Sequence, residues 1–173
     1  MMDNEKIEKI KQLRLQTSMS LIECQNALKE ANYDIYLAST ILKEKMETIA
    51  KKKIERKTKT GTFGVYSHNN GTMLGIVELL SETDFVSKNS KFKDLAKDLA
   101  TQVIFSNNVK YISEDHINQE DRKNIFEKDL EELILLKQPF YKDNSITIQD
   151  LLYQNSAKFG ENIKIENFYR FII

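Results

Sequence analysis

The feature that most constrains this chain is a change in the spacing of its apolar residues near residue 60. Before that point, apolar residues recur every three or four positions, which is the spacing of one helix face. After it come two short runs of strand-forming residues, separated by Asn69-Asn70-Gly71. Asn-Gly accepts the positive φ angles of a tight hairpin turn. Helices, then a hairpin, then further helices predict an α+β fold.

Residues 1–50 predict a module of three short helices. Ser20 followed three residues later by Glu23 has the form of a capping box, which marks the start of the second helix. Asp34 is a suitable N-cap for the third helix. The apolar faces of the three helices are formed by Ile7, Ile10 and Leu13, then by Cys24, Ala27, Leu28 and Ala31, and then by Leu37, Ala38, Ile41 and Leu42.

Residues 51–60 are predicted to form a basic linker. Lys51–Lys59 carries six positive charges and one negative charge, with no apolar periodicity. Such a run can bind RNA, but it lacks the aromatic side chains on which unpaired bases stack. The whole chain has 26 basic and 26 acidic residues, which argues against nucleic acid as its main ligand. We expect no direct contact with nucleic acid, and an RNA-binding factor is the alternative.

Residues 61–173 predict an α+β core with a small antiparallel sheet packed on helices. The returning strand Met73–Leu80 is apolar at nearly every position, so both of its faces are expected to be covered. The charged stretch Ser113–Glu132 is expected to be helical. The other expected elements are a helix with the stripe Phe92, Leu95, Ala96, Leu99 and Val103, a helix capped by Thr147 and stopped by Gly160, and a last strand at Ile163–Ile172.

The sequence lacks the common catalytic and cofactor motifs. It contains no glycine-rich phosphate loop, so the chain itself is not expected to bind nucleotide. His68 and His116 lie far apart and Cys24 is the single cysteine, which argues against a zinc site and excludes an internal disulfide. We expect no cofactor, no metal and no enzymatic activity. With no apolar run of about 20 residues and no apolar signal core, the chain is expected to be cytoplasmic and to make no membrane contact.

Thr83-Asp84-Phe85-Val86 is the most unusual segment of the chain. It follows the apolar strand and precedes a helix, so it is expected to form the tip of that connection. A phenylalanine at such a tip commonly packs into its own core. The alternative is an exposed aromatic wedge beside a carboxylate, a pair that can enter a partner's pocket and compete for a metal ion.

Three separated groups of residues resemble motifs of the elongation factor Ts family, in the order found in that family. The central group is Gly75–Lys88, which contains Thr83–Val86. The N-terminal group comprises Ile10–Arg14, Thr17, Cys24, Ala27-Leu28, Ala31, Asp34-Ile35 and Leu37-Ala38, and the C-terminal group comprises Gln138–Asp143, Gly160–Ile165, Phe168, Arg170 and Phe171. Together they cover nearly the whole chain.

The resemblance implies a guanine-nucleotide exchange factor that binds the GTPase domain of elongation factor Tu. It implies that residues 1–50 adopt the ubiquitin-associated (UBA)-type fold and that no bond-making chemistry is needed. Thr83, Asp84, Phe85 and Val86 would dislodge Mg²⁺ from elongation factor Tu and so promote exchange of GDP for GTP.

The resemblance also assigns partner-binding roles to the N-terminal module, where Arg14, Leu21 and Ile22 would contact elongation factor Tu. Leu21 and Ile22 stand where the family has methionines, and their apolar character preserves a contact role. The alternative for both residues is core packing, and for Arg14 it is a solvated helix position.

Two further departures from the family pattern are Ser18, at a position that is commonly glycine, and Glu166-Asn167, which replaces a basic pair. The length leaves room for one core subdomain, which is typical of the short family type that self-associates as a homodimer. A UBA-like binding adaptor is a further alternative, although it leaves the hairpin and Thr83–Val86 unexplained.

Overall fold

The computed structural model of the chain describes residues 2–17 and 19–173, apart from the side chains of Met2, Asp3 and Lys128. Ser18, where the family commonly has glycine, lies outside the described residues. The described residues form two compact units. Unit 1 comprises the residues up to Glu55 together with Tyr153–Gly160, and unit 2 comprises Arg56–Leu152 and Glu161–Ile173.

Unit 1 is built on three helices, α1 (Met2–Thr17), α2 (Leu21–Glu30) and α3 (Ile35–Lys51). The predicted caps of α2 and α3 are confirmed. The hydroxyl of Ser20 accepts the N–H of Glu23 at 3.2 Å, and the Glu23 carboxylate accepts the N–H of Ser20 at 3.1 Å. Asp34 accepts the N–H of Leu37 at 2.9 Å. These side chains satisfy N–H groups that have no partner within the helix, and so they set where each helix begins.

The core of unit 1 is formed by the predicted helix faces. Ile7 and Leu37 are exceptions, because each is about half exposed. The buried cluster consists of Leu13, Met19, Cys24, Ala27, Leu28, Ala31, Ala38, Leu42 and Met46. Fully burying a leucine or methionine side chain contributes about 1.5–3 kcal/mol, so the three helices are held mainly by this cluster.

The remaining elements begin with a hairpin and end with a strand. In chain order they are β1 (Thr60–His68), β2 (Met73–Ser81), α4 (Asp84–Ser87), α5 (Ser90–Phe105), α6 (Gln119–Asn124), α7 (Leu130–Leu133), β3 (Pro139–Phe140), β4 (Asp143–Thr147), α8 (Ile148–Phe159) and β5 (Lys164–Ile172). The α+β prediction is confirmed. The domain limits 1–50, 51–60 and 61–173 stay a prediction; α3 ends at Lys51 and β1 begins at Thr60.

A three-stranded antiparallel sheet with the order β1-β2-β5 forms the framework of unit 2. The predicted hairpin turn is confirmed, since Asn69, Asn70 and Gly71 all have positive φ angles of 50°, 55° and 89°. Strand β2 is central, with β1 on one edge and β5 on the other. The short pair β3–β4 was not expected from the sequence.

Helix α5 packs on one face of this sheet, and two glycines allow it to come close. A Cβ atom at Gly64 would lie 1.9 Å from the carbonyl oxygen of Ala96, and one at Gly75 would lie 2.4 Å from that of Ala100. The predicted stripe of α5 is buried against this face. The expectation that β2 is covered on both faces is wrong, because the side chains that alternate with its buried ones are only half buried.

The expectation of a helix through Ser113–Glu132 is also wrong. The segment contains the six-residue α6, short 3-10 turns and the start of α7. Asn118 accepts the N–H of Asp121 at 2.8 Å and caps α6, and such local side-chain bonds compete with a continuous helix. In contrast, the helix predicted between Thr147 and Gly160 is confirmed as α8, with Thr147 accepting the N–H of Asp150 at 3.1 Å.

Candidate functional site

Thr83–Val86, called the tip below, lies where β2 leads into the single-turn helix α4. Thr83 is the N-cap residue and has an extended backbone, with φ −125° and ψ 158°. The side chain of Phe85 is 86% exposed, whereas that of Val86 is only 8% exposed. The exposure of Phe85 excludes the core position that the sequence left open. The tip therefore presents the ring of Phe85 to solvent, while the buried side chain of Val86 anchors it to unit 2.

The divergence of Phe85 and Val86 follows from helix geometry, because neighbouring side chains on a helix point about 100° apart. The backbone of the turn is closed by the N–H of Ser87, which donates to the carbonyl of Thr83 at 3.2 Å. A single helical turn is unstable by itself. Its position therefore depends on the buried Val86 and Ser87 and on bonds to the rest of unit 2.

The carboxylate of Asp84 is paired within the tip's own helical turn. Nζ of Lys88 donates to Oδ2 of Asp84 at 2.6 Å, and both side chains are largely exposed. This hydrogen bond and the charge of Lys88 hold the pKa of Asp84 below its ordinary value. The carboxylate is thus ionised throughout the neutral range.

Thr83 is bound by Glu161, a residue to which sequence reasoning assigned no role. The Glu161 carboxylate accepts the backbone N–H groups of Glu82 and Thr83, each at 3.0 Å, and the Thr83 hydroxyl. The sequence feature that could have indicated a role for Glu161 is its place in the segment Gly160–Ile165, which resembles a family motif.

The predicted contact residues of unit 1 are exposed. Leu21 and Ile22 are 54% and 68% exposed at the start of α2, so they are not core residues of the described unit. Arg14 is exposed near the end of α1, where it lines a depression together with Lys11, Leu15 and Lys158. The structure thus brings Leu21 and Ile22 together on one helix and places Thr83–Val86 in unit 2. The partner-binding role of Arg14, Leu21 and Ile22 and the magnesium-displacing role of Thr83–Val86 stay predictions.

Within residues 2–17 and 19–173, no group of three or more His, Cys, Asp and Glu side chains is arranged to hold a metal ion. No helix in this described part is both long and apolar enough to cross a membrane. Cys24 is buried in the core of unit 1, and burial raises the pKa of its thiol. A thiol with a raised pKa is poorly reactive, so Cys24 has the properties of a packing residue.

The replacement of a basic pair by Glu166-Asn167 has local consequences in β5. Glu166 pairs with Lys164, whose Nζ lies 2.5 Å from its carboxylate. Asn167 donates to Glu78 at 2.8 Å across the strands. Both side chains therefore bond within the sheet.

The fold and the candidate site define an α+β protein whose predicted functional residues belong to two units and, apart from the buried Val86, are exposed. No protein-family model matches the chain. It is 37% identical to elongation factor Ts of Finegoldia magna, covering 94% of this chain and 86% of that relative. It is 36% identical to elongation factor Ts of a Synechococcus species, covering 95% of this chain and 73% of the relative. The chain belongs to the elongation factor Ts family.

The relatives differ in length. Elongation factor Ts of Thermosynechococcus vestitus is 35% identical over 95% of this chain, but the chain spans only 64% of that relative. This chain therefore corresponds to a part shared with the longer members of the family.

Proposed function

We propose that this chain is a translation elongation factor that binds elongation factor Tu in its GDP form, dislodges Mg²⁺ and promotes exchange of GDP for GTP. The observation that carries the proposal is the 86% exposed ring of Phe85 next to the ionised Asp84. The pair lies in the segment that resembles the central signature of the family.

In the proposed mechanism, Phe85 enters between side chains near the magnesium site of the partner, and Asp84 reorganises the groups that hold the ion. Magnesium bridges the phosphates of a bound nucleotide and neutralises their charge. Its displacement therefore weakens GDP binding. Because binding of the factor and of the nucleotide are linked, each weakens the other by the same factor. GTP then rebinds and releases the factor, with no covalent bond made or broken.

Unit 1 would supply a second contact. The exposed Leu21 and Ile22 offer apolar area on a capped helix, and the guanidinium of Arg14 can form a charge-assisted hydrogen bond to a partner carboxylate. This partner would place the protein in the cytoplasm, where it needs no cofactor. We assign no nucleic-acid contact to the basic residues between α3 and β1.

We also propose that the chain forms a homodimer through the uncovered face of its sheet. Three cross-strand rows meet there: Phe63, Glu78 and Asn167; Val65, Ile76 and Tyr169; Ser67, Leu74 and Phe171. Phe63, Val65, Tyr169 and Phe171 are about half exposed or more. Glu78 is the one charged residue in these rows and accepts a hydrogen bond from Asn167, so the other two rows can be covered by a second copy without burying a charge.

The dimer is tested by sedimentation of the unmodified chain and of Phe171→Lys. Phe171 lies in a row with Leu74 and Ser67 and has no acidic neighbour there, so a lysine would place two unpaired charges in the two-fold interface, and we expect the variant to be monomeric. The exposed Phe126 supplies the matched control, Phe126→Lys. If both variants sediment like the unmodified chain, this face is not the interface.

The exchange activity is tested by release of labelled GDP from elongation factor Tu with increasing concentrations of the chain. We expect saturable acceleration at millimolar Mg²⁺ and a much smaller effect after chelation, because chelation removes the ion that the tip is proposed to displace. Absence of any acceleration at micromolar chain would overturn the proposed function.

A further inference from the structure

The tip is held to the segment just before β5 by the carboxylate of Glu161. Oε2 of Glu161 accepts the N–H groups of Glu82 and Thr83, both at 3.0 Å, while Oε1 accepts the hydroxyl of Thr83. Hydrogen bonds to an ionised acceptor are stronger than those between neutral groups. Three such bonds converge on two consecutive residues, so Glu161 fixes the backbone direction just before Asp84 and Phe85.

A second set of bonds runs in the opposite direction between the same two segments. The carboxylate of Glu82 accepts the N–H of Asn162 at 2.6 Å, and the side-chain amide of Asn162 donates to the carbonyl of Arg56 at 2.9 Å. Arg56 in turn forms an ion pair with Glu82, with 3.6 Å between Nη1 of Arg56 and Oε1 of Glu82. The connection is therefore reciprocal: Glu82 binds the segment that carries Glu161, and Glu161 binds the segment that carries Glu82.

The orientation of Thr83 supports a specific role for Glu161. A threonine at an N-cap commonly accepts an N–H from the first turn of its helix, but Thr83 makes no such bond. Its hydroxyl donates to Glu161 instead. The backbone at the N-terminal side of α4 is therefore oriented by Glu161 rather than by the helix's own cap.

Phe85 needs such external support because its ring gains almost no contact with unit 2. The side chain is 86% exposed, and α4 has only four residues. Val86 anchors the turn on its C-terminal side, and Glu161 restrains it on the N-terminal side. With either restraint removed, the short turn can rotate and the ring can take several directions.

We propose that Glu161 is a positioning residue for nucleotide release: it holds the tip so that Asp84 and Phe85 reach the partner in one orientation. The inference rests on the proposed exchange function and adds a residue outside the Thr83–Val86 segment to it. Glu161 itself need not touch the partner. A small misplacement of a reacting or displacing group can reduce a rate by about a hundred-fold, so the effect of losing this restraint should be on the maximal rate.

The test compares Glu161→Ala with Glu161→Gln, in the full chain. Alanine removes all three bonds. Glutamine keeps the shape; its oxygen can accept both N–H groups and its amide can donate to the Thr83 hydroxyl. Asp98→Ala is the matched control, because Asp98 is a half-buried carboxylate of unit 2 that accepts bonds from Tyr141 and Lys142 at 3.2 Å and 2.6 Å, away from the tip.

Three measurements are made: hydrogen exchange of the Glu82 and Thr83 amides in the chain alone, thermal melting, and GDP release from elongation factor Tu over a range of chain concentrations, which gives the maximal rate and the half-saturating concentration. For Glu161→Ala we expect about ten-fold faster amide exchange, about ten-fold slower maximal release, and little change in melting or half-saturating concentration. Glutamine should restore release to within about three-fold of normal. Asp98→Ala should leave both tip amides and release unchanged.

Normal maximal release by Glu161→Ala would overturn the proposal. So would equal losses in the alanine and glutamine variants with lowered melting, because a general loss of folding produces that pattern. If Glu161→Ala does not fold, Thr83→Val removes the hydroxyl bond alone and should slow release by about three-fold; an unchanged rate there also contradicts the proposal. Failure of the unmodified chain to accelerate release would instead overturn the exchange function. Amide exchange is measured in the chain alone, so it reports whether Glu161 restrains the tip even if the exchange function is absent.

Discussion

The two groups of predicted contact residues are supported in different ways. Leu21 and Ile22 stand on α2, a ten-residue helix with a complete capping box and an opposite face buried in the core of unit 1. Phe85 stands on a four-residue helix between a strand and α5. Its support comes from the buried Val86 and Ser87 and from hydrogen bonds to Glu161.

This difference separates what changes in each region should do. A side chain on α2 can be removed without disturbing the helix, so the loss should appear as weaker association. The tip depends on a few directed bonds, so a loss there should appear in the rate of nucleotide release at saturation. Variants of the tip and of α2 test whether association and nucleotide release separate in this way.

The largest effect is expected for Phe85→Ala. Because the ring is exposed, its removal should barely change melting, whereas removing a buried phenylalanine costs about 3–5 kcal/mol. A side chain buried in a complex can contribute about 2 kcal/mol or more, which corresponds to a loss of about thirty-fold or more in GDP release. Stopped-flow release and thermal melting of the same protein measure both quantities.

Phe126→Ala is the control for Phe85→Ala, because Phe126 is also a strongly exposed phenylalanine of unit 2, at 70%. It should leave release unchanged. Lowered melting of Phe85→Ala with a normal rate for the folded fraction would mean that the ring supports the fold and is not a wedge.

The double variant Leu21→Ser, Ile22→Ser is expected to weaken association. Loss of two exposed apolar contacts should raise the half-saturating concentration about ten-fold or more, with a nearly normal maximal rate and melting. Titration of elongation factor Tu separates these values. A fall in the maximal rate alone would show that unit 1 acts in release and not in docking. Substitution is a sharper test than removal of residues 1–50, because Tyr153–Gly160 also belongs to unit 1.

A smaller effect is expected for Asp84→Asn, which removes the charge and keeps the shape. Release should slow several-fold and respond less to magnesium concentration. Lys88→Gln keeps the carboxylate and serves as the control. Loss of magnesium dependence in the control but not in Asp84→Asn would assign the role to the lysine.

The pH dependence of the tip should be flat. The hydrogen bond and charge of Lys88 lower the pKa of Asp84 from its ordinary 3.8, so any stability the pair contributes is present above that value. It is lost only as the pH falls through the lowered pKa. Release should therefore show no titration from Asp84 between about pH 5 and pH 8, and a step in that range that disappears in Asp84→Asn would contradict this assignment.

The smallest effect is expected when Lys51, Lys52 and Lys53 are changed to glutamine. These residues lie at and just beyond the end of α3, away from either group of predicted contact residues in the sequence. GDP release should stay within about three-fold of normal, since single exposed charges contribute little. Tight, salt-sensitive RNA binding by the unmodified chain that is lost in this variant would support the RNA-binding alternative.

The parts of the fold that local chemistry decides were predictable from the sequence. Ser20 and Glu23 satisfy each other's backbone N–H groups, and Asn69-Asn70-Gly71 accepts positive φ angles, so neighbouring residues suffice for both. The start of α8 at Thr147 follows in the same way. The class of fold came from the change of apolar spacing alone.

The parts that depend on distant residues were not predictable. The charge of Ser113–Glu132 suggested one helix, but the pairing of Tyr111 with Ile134 brings the ends of the segment together and leaves space only for short turns. At the site, Glu161 meets Thr83 only because β5 pairs with β2. A search for unusual residues near Thr83 in the sequence could not find a partner so far along the chain.

The position of β2 in the sheet has a bearing on synthesis of the protein. Ile76 of β2 pairs with Tyr169 of β5. When the β1–β2 hairpin of a nascent chain has emerged from the ribosome, the sheet therefore stays incomplete until β5 is synthesised. Until then one edge of β2 offers unpaired N–H and C=O groups beside apolar side chains, a combination that favours pairing with other chains. We expect the three-stranded sheet to close only after β5 has emerged from the ribosome.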